Sequence, residues 1–150
     1  MSMIPTPFRV SVLVAVTLTG GGFGALAGTV YSNVFWWVGM VAGGLSAFGL
    51  AWFYLVALSK IPPTLNGAAA WFLGTLVAVG CGVVCTLAAH GAMWLVPYRP
   101  GRDDLVNMDM RGIILTVGVV MGAIAGLVVG GICTLAYVAM RDDSQEEQAP

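Results

Sequence analysis

The chain has 150 residues, of which 59% are hydrophobic and only 9% charged, with a mean hydropathy of +0.92 and a net charge of −1. A soluble domain carries about 25% charged residues, so this chain lacks the polar surface to keep a single core in water, and its solvent is lipid. The near-zero charge gives no basic footprint for nucleic acid, which is excluded as a partner.

Four apolar runs, each free of Lys, Arg, Asp and Glu, predict an all-α membrane protein. Crossing the hydrocarbon takes about 20 residues of helix, and residues 10–31, 34–58, 68–96 and 112–140 each suffice. Their many Val, Gly and Ala residues would make poor helices in water. In lipid the backbone must satisfy its own hydrogen bonds, so helix is enforced. The alternating pattern of a membrane barrel is absent.

The first run follows Arg9. Arg9, the run 10–18 and Ala25-Leu26-Ala27 also resemble a secretory signal with a small-residue cleavage site; the segment is read as a retained helix. Ser32 and Asn33 predict a tight turn into the second run. The stretch SKIPPTLNG, residues 59–67, is a turn-rich linker, with two prolines closing one helix and Asn-Gly opening the next. Pro97-Tyr98-Arg99-Pro100-Gly101 ends the third helix. Together these predict an up-down-up-down bundle, one domain over residues 1–141, followed by a short acidic, disordered tail, 142–150.

Aromatic residues fall near the ends of the runs, as a belt at headgroup depth requires. Tyr31, Trp36, Trp37, Trp94 and Tyr98 mark one interface. Phe8, Trp52, Tyr54, Trp71, Phe72 and Tyr137 mark the other. The positive-inside count ties, with Arg9, Lys60 and Arg141 on the terminal side against Arg99, Arg102 and Arg111. The acidic tail, ordinary solvated polypeptide, then assigns the termini to the cytoplasm. The expected location is a bacterial-type inner membrane or a plasma membrane.

Every run carries a small residue at each fourth position. Gly20, Gly24 and Gly28 lie in the first; Gly39, Gly43, Ala47 and Ala51 in the second; Gly74, Ala78, Gly82 and Thr86 in the third; Gly118, Gly122, Gly126 and Gly130 in the fourth. Glycine costs a helix about 1 kcal/mol relative to alanine in water. Lipid tails are as apolar as leucine, so membrane helices gain little by burying leucine and associate through close backbone approach, which small residues permit. The spacing therefore predicts glycine-ladder packing. Val38-Gly39-Met40-Val41-Ala42-Gly43 resembles Val117-Gly118-Val119-Val120-Met121-Gly122, a faint trace of a two-helix repeat.

Candidate chemistry is sparse. His90, the only histidine, continues the row through Gly82 and Thr86 and so faces other helices. An ionisable residue inside a membrane is a functional candidate. The plain reading is a neutral imidazole bonded to a carbonyl; the functional one is a proton relay or ligand contact, with Thr86 as a second polar point. Cys81 and Cys85 share a face and Cys133 lies on the fourth helix. They read as reduced packing thiols, because a thiolate in hydrocarbon is costly and no second ligand pair accompanies them. No metal or cofactor is expected. In the polar loop, Asp103 or Asp104 caps a turn bearing Leu105, Met108 and Met110, with Asp109 between them. That edge is either a solvated loop or a docking point for a partner.

No phosphate loop, Ser/His/Asp set or HExxH motif occurs, so the chain does not read as an enzyme. The leading expectation is a non-catalytic structural or accessory subunit. It would pack through its glycine rows into a homo-oligomer or a larger membrane complex. The alternative is an oligomeric channel or small transporter with His90 and Thr86 on the pathway.

Overall fold

A computed structural model describes residues 4–31, 34–62, 64–96 and 111–146. Four helices make up almost all of it: α1 (Thr6–Tyr31), α2 (Trp36–Ser59), α3 (Gly67–Trp94) and α4 (Arg111–Glu146). All four are long and apolar enough to span a bilayer, α4 over Gly112–Arg141. The predicted Ser32–Asn33 turn lies outside the described residues.

Local chemistry sets the ends. Asn66 caps α3, its Oδ1 accepting the Ala69 N–H at 2.8 Å. The Lys60 N–H donates to Ala57 O at 3.1 Å at the close of α2, and Pro62 stops propagation. Two boundaries differ from expectation. Helix α1 starts at Thr6, ahead of Pro7 and Arg9, because proline is tolerated in a first turn whose N–H groups have no helical partner. Helix α4 runs on to Glu146, so residues 142–146, assigned from sequence to a disordered tail, are helical. At 1.5 Å per residue its 36 residues measure about 54 Å, well beyond the hydrocarbon thickness of about 30 Å.

Consecutive helices meet through small residues in reversed register. A β-carbon added at Gly20 would fall on Ala47, one at Gly24 on the Gly39 carbonyl, and one at Gly28 on the Trp36 carbonyl. Between α3 and α4, Gly74 meets Thr134, Gly82 meets the Gly122 carbonyl, and Gly130 meets Ala78. Gly24 and Gly39 each face the other's carbonyl, an arrangement suited to Cα–H···O contacts worth about 0.5–1 kcal/mol each. Helix α2 also packs on α3, whereas α1 barely touches α3 or α4. Val120, Ile124, Val128 and Ile132, off the α4 row, are about half exposed or more, at 52%, 49%, 53% and 65%.

The packed core sits at one end. Ile4, Tyr54, Leu58, Ala70, Tyr137 and Val138 cluster there, flanked by Phe8, Ile61 and Leu65. Arg141, buried at the end of the α4 span, donates from Nη2 to Leu65 O at 3.2 Å and ties α4 to the α2–α3 linker. Tyr54 departs from the predicted belt: it is 5% exposed and hydrogen-bonded inside the bundle. The Gly130 carbonyl accepts from Thr134 Oγ1 at 2.6 Å and from the Tyr54 hydroxyl at 3.1 Å, and the two hydroxyls lie 2.6 Å apart, where either one can donate to the other. Tyr31 and Tyr137 also turn inward, while all five tryptophans are exposed. The tyrosine hydroxyl of residue 54 finds acceptors in the core; an indole is bulkier and is accommodated at the lipid face.

Two outcomes follow for stability measured in detergent. Gly122→Leu, which must push α3 and α4 apart, costs at least the upper end of the about 1–3 kcal/mol typical of overpacking, whereas Ile124→Leu stays within about 0.5 kcal/mol. Tyr54→Phe costs about 0.6–1.5 kcal/mol, and in a double-mutant cycle its effect and that of Thr134→Val are non-additive.

Candidate functional site

The end of the bundle opposite the packed core is open between α1 and α4. A cleft of about 420 Å³ runs there, walled by α1 and α4 and floored by α3 with Gly43 of α2. Its lining is almost entirely apolar: Phe23, Leu26 and Val30 on one side face Ile113, Val117 and Met121 on the other. Gly20, Gly24, Gly43, Gly82, Gly118 and Gly122 also line it.

The polar side chains of the lining are Thr19 of α1, whose Oγ1 donates to Ala15 O at 2.8 Å, and Cys85, Thr86 and His90 of α3. Thr86 Oγ1 donates to Gly82 O at 3.0 Å, one turn back, so its proton is spent within the helix. One turn on, His90 is 4% exposed and its Nδ1 lies 2.9 Å from Thr86 O. A carbonyl only accepts, so Nδ1 carries a proton and donates to Thr86 O. Nε2 has no hydrogen-bond partner among the described residues. The Cε1–Nε2 edge rests over Gly118: a β-carbon there would stand 3.0 Å from Nε2. Tyr31, at the end of α1, closes the other side of the imidazole edge-to-face, with ring centroids 6.0 Å apart at 72°.

A second, smaller pocket of about 80 Å³ lies among Val16, Tyr54, Ala78, Cys81, Gly130 and Cys133. Cys81, Cys85 and Cys133 are unpaired thiols, and Cys85 Sγ lies 3.7 Å from Gly43 O. Among the described residues no three His, Cys, Asp or Glu side chains converge on a possible metal position.

The structure thus brings together His90, Thr86 and Gly118, with Tyr31 beside them, at one mouth of the cleft. Of the glycines named from sequence, Gly20, Gly24, Gly28, Gly39, Gly43, Gly74, Gly82, Gly118, Gly122, Gly126 and Gly130 all meet another helix of the same chain. Gly22, Gly49, Gly80 and Gly91, which the four-residue rows do not contain, have open space where a side chain would stand. The loop positions Asp103, Asp104, Leu105, Met108, Asp109 and Met110 lie outside the described residues. Sequence reasoning missed the cleft and the role of Tyr31: the first depends on which helices fail to touch, the second on a tyrosine turning inward from a helix end. No family model, curated protein or solved structure matches this chain.

Proposed function

We propose that this chain is a non-catalytic integral membrane protein, a structural or accessory subunit of a homo-oligomer or a larger membrane complex. Within each copy the reading is an up-down-up-down bundle held by glycine ladders. Copies or partners then meet on the outer faces rather than through those ladders. The observation that carries it is the pair of glycine populations. The ladder glycines are accounted for by contacts inside the chain, and a groove already filled by a neighbouring helix offers nothing to a second copy. Gly22, Gly49, Gly80 and Gly91 are exposed, with open space around them and no intrachain contact to explain them. Glycine facing lipid forfeits side-chain packing and gains nothing; against a second protein it permits the close approach on which membrane association depends. The location that goes with this reading is a bacterial-type inner membrane or a plasma membrane, with cytoplasmic termini.

A second reading, an oligomeric channel or small transporter, draws on one observation: His90 and Thr86, the polar points of α3, both line the same cleft. Reconstituting the purified protein alone in liposomes separates the two. Ion flux that falls at least tenfold in His90→Ala supports the channel; silent liposomes together with co-purification of a larger assembly support the subunit.

The subunit reading makes a further distinction measurable. Gly80→Leu and Gly49→Leu leave the thermal stability of the isolated chain within about 0.5 kcal/mol and reduce the mass of the species extracted from native membranes. Gly122→Leu does the reverse in order, destabilising the chain itself. An unchanged extracted mass for both exposed-glycine variants, measured by native mass spectrometry, overturns the proposed outer contact.

A further inference from the structure

We propose that the α1–α4 cleft is the open position of a hinge: the α1–α2 pair rocks as one body on the α3–α4 pair about the core end, and closing seats Phe23, Leu26 and Val30 of α1 against Ile113, Val117 and Met121 of α4. The inference concerns one copy of the chain and does not depend on how copies assemble.

The placement of the ties comes first. Tyr54 bonds to Thr134 and Gly130, and Arg141 bonds to Leu65 O of the α2–α3 linker; both connections cross between the pairs at the core end. Farther along, α2 and α3 meet where Cys85 Sγ lies 3.7 Å from Gly43 O, a long sulfur contact. At the far end Tyr31 meets His90 edge to face. Ring pairs hold over centroid separations of about 4.5–7 Å, whereas hydrogen bonds weaken steeply with angle, so this end yields to a tilt before the core end does. Each pair is stiff in itself. Gly24 and Gly39 each abut the other's carbonyl, and Gly82 and Gly122 do the same, so the helices of a pair move together.

The walls supply the rest. Running inward from the mouth, α1 presents Val30, Leu26 and Phe23, and α4 presents Ile113, Val117 and Met121. All six are exposed. Both stripes step by three or four residues, the spacing of one helix face, and they fall at matching depths, as two faces that pack on each other do. From Val12 to Tyr31 is about 28 Å of helix, so a tilt of about 10° at the core end carries the tip of α1 about 5 Å. Apolar contact gains little over lipid, so neither position is strongly preferred and both are populated.

The test measures distances by double electron–electron resonance on the full-length protein in lipid nanodiscs. Spin labels carried on keto amino acids at Thr29 and Thr116, exposed positions outside the cleft lining, leave the native cysteines in place. Two populations about 5 Å apart are expected, each at least about a tenth of the total. Labels at Thr29 and Leu45, both within the α1–α2 pair, give a single distance. Ala27→Phe, which puts a ring into the cleft from its α1 wall, removes the shorter Thr29–Thr116 population. A single Thr29–Thr116 distance as narrow as that of the control pair overturns the proposal, and so does a shorter population that Ala27→Phe leaves untouched. A control pair that itself splits overturns the rigid-body motion. Should Ala27→Phe fail to fold, the two label pairs in the otherwise unmodified chain still decide.

Discussion

Apolar side chains gain little from leaving lipid for one another, and that absence governs the whole molecule. What remains to hold four spans together is dispersion at short range, helped by weak Cα–H···O contacts, and both fall away steeply with distance. Main chains must come close, and only small residues let them. The reversed pairing of Gly20 with Ala47, Gly24 with Gly39 and Gly28 with Trp36 meets that demand for α1 and α2. Gly74, Gly82 and Gly130 meet it for α3 and α4. Helix propensity, which would count against such glycines in water, is overruled because a broken backbone hydrogen bond in hydrocarbon costs several kcal/mol.

Polar anchoring is concentrated where close approach alone does not suffice. Arg141 to the Leu65 carbonyl and the Tyr54–Thr134–Gly130 set both sit at the end where large side chains fill the bundle. Trp71 adds a bond from Nε1 to Gly131 O at 3.1 Å at that end. Tyr54 to Thr134 ties α2 to α4, Arg141 to Leu65 ties α4 to the α2–α3 linker, and Trp71 to Gly131 reinforces the α3–α4 pair itself.

The extent of the four spans was legible because charge is confined to islands between them, and the small-residue rows were legible as simple spacing. Helix ends were less so. Pro7 and Arg9 look like a flank, yet a first turn tolerates both, and α4 continues past Arg141 although the apolar signal stops. Tyr54 misleads because an aromatic near the end of an apolar run reads as an interface anchor; its inward turn depends on Thr134, eighty positions away. His90 occupies the position its row implies, but spacing carries no information about which of its nitrogens is spent. That is set by Thr86 O, a backbone atom one turn below.

The cleft and the tight helix pairs have one origin. A glycine brings two backbones together by contributing no volume, and volume is what fills the space between one pair and the next. At the core end Tyr54, Leu58, Tyr137 and Val138 supply it, and the two helix pairs close on each other. At the other end the inward positions include Gly20, Gly24, Gly82, Gly118 and Gly122, so the α1–α2 and α3–α4 pairs are tight while α1 and α4 stand apart. Larger residues could not simply be substituted to fill the gap. A β-carbon at Gly24 or Gly82 meets the facing backbone of its own pair before it reaches the space between pairs. The cleft is therefore a structural consequence of how the helices associate, and His90, placed at its mouth with one nitrogen committed, gives it a polar end.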